Sequence, residues 1–464
     1  MVVPIKTFGS PGPAAAAARQ QLTLSYAQET MLFWDRFVPH SAVYNVPFAM
    51  TIEGLLDVDA LRKTIQLIVS RHVVLHSNFI LVRGEPAQVV GSPERPAFSV
   101  VDLSSLPADQ KASRVEMTVS AEARRPFDLA KDLMLRAVLI RLGTTEHVLV
   151  ITLHHIASDG WSIGAFLQEF SQAYLAFSAG KPPNLAPLPM QYADFARWQR
   201  ELLQGPALER SLSFWSQQLA NFPDFAEMIP LRQPRPAQQT FPGHTLRTLL
   251  PNSFVPAMAE LGQTRRATVF MVMLAAFQAL LGRYSGKDDV SVGVPVANRA
   301  RPEFANIIGC FINMVVVRSN LAGNPTFLEL LGRVRETSLA AFFHPELPFS
   351  ELVRHLHPKR STSHTPFFQV QLVFQNYPVP TIQWPGLTLK RFEVETATSK
   401  FDLSVLIEQK EGLEIAFEYN TALFAQATMQ RMLDEYRFLL ESVVKHPETR
   451  LHDLPLGASR PGAA

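Results

Sequence analysis

An α/β fold in two layered lobes is what the sequence predicts, on three observations. Apolar residues recur with period two in short stretches and with a period near 3.6 in longer ones, and the two patterns alternate along the chain. The 464 residues exceed a single ordinary domain, at about 150 residues per domain. A Pro-rich stretch from Lys181 to Pro189 divides the pattern into halves of similar style. Two such lobes commonly hold a ligand in the cleft between them.

The elements follow in order. Residues 1–21 are rich in Pro, Ala and Gly without periodicity and read as a leader or linker. Leu24 to Phe37 has helical spacing, Asn45 to Ile52 (NVPFAMTI) strand spacing, and Asp57 to His72 is an amphipathic helix opened by an aspartate. Val73 to Val82 and Glu146 to His154 are expected strands, and Ile163 to Phe177 a helix ending near Gly180. The first lobe thus covers 22–180, the connector 181–189 and the second lobe 190–456, with 457–464 starting another linker. In the second lobe Thr268 to Tyr284 is apolar nearly all round, which at that length predicts a buried helix rather than a membrane span. Asp289 to Val294, Phe311 to Arg318 and Phe367 to Phe374 are expected buried strands, and Ala427 to Val444 a closing amphipathic helix.

Composition excludes several classes of function. Lys and Arg total 43 against 41 Asp and Glu, a formal charge of +2, with no clustered basic face for DNA or RNA. The single cysteine, Cys310, excludes an internal disulfide and a cysteine-based zinc site and fits a reducing, cytoplasmic setting. No apolar run approaches the roughly 20 residues of a bilayer span, and the N-terminus lacks the basic-then-apolar order of a secretory signal. A monomer without bound metal or permanent cofactor is expected.

Chemistry concentrates in HHIASDGWS, His154 to Ser162, directly after the strand HVLVITL. Neighbouring strand residues point to opposite faces, so only one histidine can face a cleft, which argues against both ligating one metal. An imidazole with an ordinary pKa of about 6.5 can take a proton from an attacking amine or hydroxyl near neutral pH. Asp159 can cap the following helix or bind an arginine and fix the turn. Gly160 lets the backbone approach a substrate, and its N–H can face a developing oxyanion. A lone histidine on an apolar strand is more often a core residue, but the full HHxxxDG spacing arises by chance only roughly once in a thousand at this composition.

The motif resembles the signature of the condensation domains of nonribosomal peptide synthetases, and further family motifs occur in order from about Gln21 to Leu456. LTLSYAQETMLFWDRF resembles the first, with Ser25, Ala27, Gln28 and Trp34 matching. SRHVVLHSNF resembles the second, and QYADFARWQ matches the fourth through Tyr192, Asp194, Phe195 and Trp198. IIGCFINMVVVR matches the fifth through Gly309, Phe311, Asn313 and Arg318. HPELPFSELV resembles the sixth, Arg360 to Phe368 a loose seventh, and SKFDLSVLI and FEYNTALF complete the series.

The resemblance implies two chloramphenicol-acetyltransferase-like lobes forming a V, a pseudo-dimer with a central tunnel that carrier-borne phosphopantetheine arms enter from donor and acceptor faces. It implies His155 as the active-site imidazole, acting as a base or positioning the amine, with His154 mainly structural. Asp159 is expected to pair with an arginine, for which Arg299 is the candidate, and Gly160 to lie against the donor thioester. Asn313 is expected to order the strand crossing between lobes, and Trp161 and Ser162 to contact substrate. Cys310 is expected in the core rather than as a nucleophile, because the family's chemistry is direct aminolysis.

DGWS, where epimerising relatives read DGVSW, and YNVP at Tyr44 to Pro47 favour condensation types taking an L-configured donor or an acyl starter. The DxxxxD of heterocyclising domains and the DFGWG of plant acyltransferases are absent. Val73, His76 and Ser77 depart from the second motif's usual RHExLRTxF. The loss of a possible ion pair there is worth only about 0–1 kcal/mol and touches donor specificity rather than fold. Phe342, Phe343 and Pro345 replace more polar family residues, and some of the 32 phenylalanines could line an acyl pocket, most being core.

Met1 precedes the first motif by some twenty residues and no carrier-type GGxS serine occurs. If Met1 is the natural start, the expectation is a starter domain that N-acylates the first amino acid from an acyl-CoA or a separate acyl carrier. The alternative is an L-to-L elongation domain with a peptidyl-carrier donor. An aminoacyl-carrier acceptor is expected in both, and RLHDLPL resembles a linker into a downstream adenylation domain. A third reading, a non-catalytic platform recruiting carriers or tailoring enzymes, is disfavoured by the intact histidine motif.

Overall fold

The computed structural model describes residues 20–223, 227–299, 301–359, 361–376 and 380–457. Most of the leader, most of the terminal linker and Arg360 of the seventh motif lie outside the described residues. Among the described residues fourteen strands run in chain order. They are β1 (Gln21–Leu22), β2 (Asn45–Glu53), β3 (Ser77–Val82), β4 (Glu85–Val90), β5 (Phe98–Asp102), β6 (Leu135–Arg141) and β7 (Glu146–His154). After them come β8 (Gly243–Pro251), β9 (Asp289–Val296), β10 (Asn313–Asn320), β11 (Val370–Gln375), β12 (Thr388–Phe392), β13 (Leu403–Gln409) and β14 (Gly412–Asn420). Mixed sheets covered by helices make this an α/β protein.

The chain forms two compact units that are not sequential. The first takes residues 1–204 together with 299–312 and 377–396; the second takes 205–298, 313–376 and 397–464. In the first unit a five-stranded sheet has the order β12-β2-β7-β6-β5, beside a small sheet β1-β4-β3. Strand β12 joins it by pairing antiparallel with β2, Thr388 opposite Glu53 through Phe392 opposite Ala49. Trp384 secures the same segment, stacking on Tyr174 at 3.9 Å and donating its indole N–H to Ser171 Oγ at 3.1 Å. Strand β7 is central, and Val148 to Leu153 are buried, as expected for a strand covered on both faces. The helix Gly160–Ser178 follows β7 and buries Phe166 and Phe170 in the unit's main core with Ile65, Ile68 and Leu149.

In the second unit the sheet runs β10-β9-β11-β13-β14-β8. The apolar segment expected at Thr268 to Tyr284 is the helix Val269–Ser285, capped by Thr268 and stopped by Gly286 in the left-handed region at φ 67°. Its residues Met271 to Leu281 are buried, so apolarity all round reflects burial within protein. Gln278, a polar residue at 0% exposure, donates to Val317 O of β10 at 3.0 Å.

One expected element differs. Val73 to Val82 is not a continuous strand: Val73–His76 forms a 3₁₀ turn and β3 begins at Ser77. The turn closes because Leu75 N donates to His72 O at 2.9 Å and Ser77 Oγ to Val73 O at 2.7 Å, a local side-chain bond competing with the ladder. His76 is buried there, its Nδ1 2.7 Å from Val69 O.

Candidate active site

The two histidines part at the end of β7. His154 is the last residue of the strand, pairs with Asn45 of β2 and is 3% exposed. Its ring lies 6.0 Å from Tyr44 and 5.5 Å from Phe127. Its Nδ1 accepts the Ile156 N–H at 3.1 Å, so the neutral ring carries its proton on Nε2. Burial, then the neighbouring His155 and Arg136, hold it down to about 3, and it stays uncharged at neutral pH.

His155 opens a short 3₁₀ turn, His155–Ala157, and is half-buried. Its backbone N–H donates to Tyr44 O at 2.8 Å. Its Nδ1 is 3.6 Å from Cys310 Sγ, and the Tyr44 ring approaches edge-on at 6.5 Å. Cys310 is 0% exposed, a core position.

Asp159 fixes the geometry that follows. It caps the helix Gly160–Ser178, Oδ1 accepting from Ser162 N at 2.8 Å, and it pairs with Arg299 Nη2 at 3.0 Å. Its other oxygen, Oδ2, accepts from Phe311 N at 2.9 Å. Both side chains of the ion pair are under 5% exposed, and additional bonds hold the charges, which a buried pair requires. Arg299 also donates to Phe304 O and Ile307 O and packs over the Phe311 ring at 3.9 Å.

The expectation that Ser162 contacts substrate needs correction. The residue is fully buried, and its Oγ lies 2.7 Å from both Asp159 Oδ1 and Gly309 O while accepting from Gly309 N at 3.0 Å and Arg299 Nη2 at 2.8 Å. A hydroxyl so engaged has no capacity left for a ligand. Trp161 commits its indole N–H to Ala305 O at 2.9 Å and stays half-buried. Gly160, half-buried too, occupies the first helical position, where backbone N–H groups lack intrahelical acceptors.

Asn313 belongs to the second unit. Its Nδ2 donates to Pro345 O at 2.9 Å and Leu347 O at 2.7 Å, and its Oδ1 accepts from Phe349 N at 3.0 Å. The amide therefore pins the 345–349 turn of the sixth motif onto the start of β10. Phe343 is 77% exposed and lines no buried acyl pocket.

Sequence reasoning names Ser25, Tyr192 and Gly309 as motif positions without a role. The fully buried Tyr192 hydroxyl lies 2.8 Å from Ser25 Oγ and donates to Cys310 O. Gly309 sits flat against that ring: a Cβ there would fall 1.9 Å from the ring carbon Cδ2. The signal available in sequence is the joint presence of the first, fourth and fifth motifs, which meet here.

The fold places a histidine at the end of its central strand, braced by a buried ion pair in the following turn. A family model for the condensation domain matches residues 18–460, and the chain belongs to that family. It is 42% identical over 444 residues to one polypeptide of the linear gramicidin synthase of Brevibacillus parabrevis, covering 95% of this chain and 6% of that protein. With a second polypeptide of the same synthase it is 43% identical over 440 residues, covering 94% and 8%. The chain thus spans less than a tenth of these relatives. Among solved structures, the X-domain from teicoplanin biosynthesis matches with a TM-score of 0.85 at 25% identity, covering 98% of this chain and 100% of that one. The starter condensation domain of rhizomide synthetase, an arginine variant in complex with C8-CoA, matches at 0.81 and 18% identity, covering 96% and 99%. The chain is a nonribosomal peptide synthetase condensation domain, an amide-bond-forming acyltransferase. No helix among the described residues is long and apolar enough to cross a membrane.

Proposed function

We propose that His155 serves the condensation, with Asp159 and Arg299 holding its turn and Gly160 lying against the donor thioester. The α-amine of an aminoacyl-S-carrier attacks the carbonyl carbon of an acyl thioester. The N–C bond forms, the C–S bond breaks, and the amine's proton leaves with the thiol. One observation carries this reading: of the two histidines, only His155 is partly exposed, whereas His154 is sealed and spends its Nδ1 on the backbone. His155 either takes the amine's proton as a base or orients the amine.

For the donor we propose a fatty acyl group from acyl-CoA, transferred to the first amino acid of a lipopeptide. The support is 36% identity over 451 residues to the isonitrile lipopeptide synthase of Mycobacterium tuberculosis, of which the chain spans 18%. The second reading, elongation from a peptidyl carrier, is favoured by the higher identities to the two gramicidin synthase polypeptides. An aminoacyl-carrier acceptor, a downstream adenylation domain and a cytoplasmic setting belong to both.

The deciding experiment is intact-mass detection of amide on an aminoacyl-loaded carrier. One reaction receives a medium-chain acyl-CoA, the other an aminoacyl- or peptidyl-carrier donor. Amide from acyl-CoA establishes the starter reading, and amide only from the carrier-bound donor replaces it with elongation. In either arm His155→Ala is expected to abolish product with the thermal melt unchanged; turnover near wild type would remove His155 from the reaction.

A further inference from the structure

We propose that Cys310 is the positioning residue of the His155 imidazole, engaging Nδ1 so that Nε2 is the nitrogen offered to substrate. The inference rests on the reading of His155 given above. A contact on one ring nitrogen is what fixes the tautomer and orientation of a histidine, and so decides which nitrogen does the chemistry. The thiol is 3.6 Å from Nδ1, within reach of a sulfur hydrogen bond, and a thiol is both a weak donor and a weak acceptor. Either proton arrangement keeps Nδ1 occupied.

The backbone that carries the sulfur is held by side chains at three successive residues. Ser162 Oγ bonds Gly309, the Tyr192 hydroxyl donates to Cys310 O, and Asp159 Oδ2 accepts from Phe311 N. Gly309 and Phe311 are thereby fixed to the segment that follows His155, and Cys310 between them to Tyr192. The Tyr44 and Tyr192 phenols are both pushed up, by burial first and by Cys310 second. Cys310 is 0% exposed and acts by hydrogen bonding rather than as a nucleophile. The Asp159–Arg299 pair then has a definite output, the location of one sulfur atom beside the reacting ring.

The test uses ¹⁵N-histidine NMR and steady-state turnover on wild type, Cys310→Val and Cys310→Ser, with the His155 signals assigned by their loss in His155→Ala. Cys310→Val keeps an apolar side chain of similar length and removes the hydrogen bond; its ring-nitrogen shifts are expected to move toward a mixture of tautomers. Its kcat is expected to fall about ten-fold at unchanged acceptor KM, the scale of a misoriented catalytic group. Cys310→Ser, which retains a donor, is expected to recover part of both. Unchanged shifts overturn the proposal, including the case in which kcat falls without them, because a purely structural role gives that result. Changed shifts with unchanged kcat overturn it as well. If Cys310→Val does not fold, Cys310→Ala supplies the same comparison without added bulk. An active His155→Ala would defeat the reading of the site, whereas an inactive His155→Ala beside a silent Cys310→Val defeats only the present inference.

Discussion

Two adjacent histidines have opposite fates because β7 stops between them, His154 closing the strand and His155 opening the 3₁₀ turn. His154 points into the core and is held neutral, down to about 3 by burial against an ordinary 6.5. A histidine depressed in the folded state binds its proton more readily when unfolded. Its contribution is therefore complete above pH 6.5 and is lost as pH falls toward 3, at about 1.4 kcal/mol per pH unit inside that window. His76, His147 and His364 are lowered by burial too and act in the same direction, so the test is differential. His154→Asn retains an acceptor for Ile156 N, and its stability by urea titration should decline less between pH 6.5 and 5 than that of wild type. Equal declines would refute the assignment.

Asp159 makes a complementary case. Removing one partner of a buried, hydrogen-bonded ion pair costs about 3–5 kcal/mol because the other charge stays buried. Asp159→Ala should appear as lost soluble protein or a lower melting temperature, while a stable but inactive variant would move Asp159 into the reaction itself.

At the scale of elements, local chemistry was readable. Ser25, Asp57 and Thr268 cap their helices, and β7 spans the stretch expected for it because its apolar run is unbroken and ends at a capped turn. The Val73–His76 turn was not readable, since its β-branched residues favour a strand until the Ser77 hydroxyl bonds back to Val73 O. Sequence pointed to Arg299 as a candidate partner of Asp159, yet Ser162 looked like a substrate residue from its motif neighbours alone. Its burial depends on Gly309, 147 residues away, and distant pairings leave no periodic trace. Packing at Gly309 is similarly invisible in one sequence. Gly309→Ala forces a methyl into the Tyr192 ring and should cost about 1–3 kcal/mol or more, read as a lower melting temperature. A variant melting with wild type would mean that the ring gives way.

Over the whole molecule, the legible pattern was two α/β halves in sequence; the exchange of segments between units was not, because strand pairing such as β12 on β2 joins residues more than 300 apart. A fragment of residues 1–204 lacks both β12 and the 299–312 segment that holds Asp159. It exposes the β2 edge and leaves the Asp159 carboxylate without Arg299, so circular dichroism should find no cooperative melt. A sharp transition would mean that the first unit closes without its returning segments.

The clamp also bears on recombination between synthetases. His155 and Asp159 lie early in the chain, and Arg299, Gly309, Cys310 and Phe311 lie late. A single crossover anywhere between Ser162 and Arg299 therefore joins one parent's histidine turn to another parent's support. Such chimaeras inherit a complete motif whose neighbours were never selected together. Shuffling among homologues should accordingly favour junctions that keep 154 to 311 from a single ancestor, making that interval a unit of inheritance although it is not a continuous unit of structure.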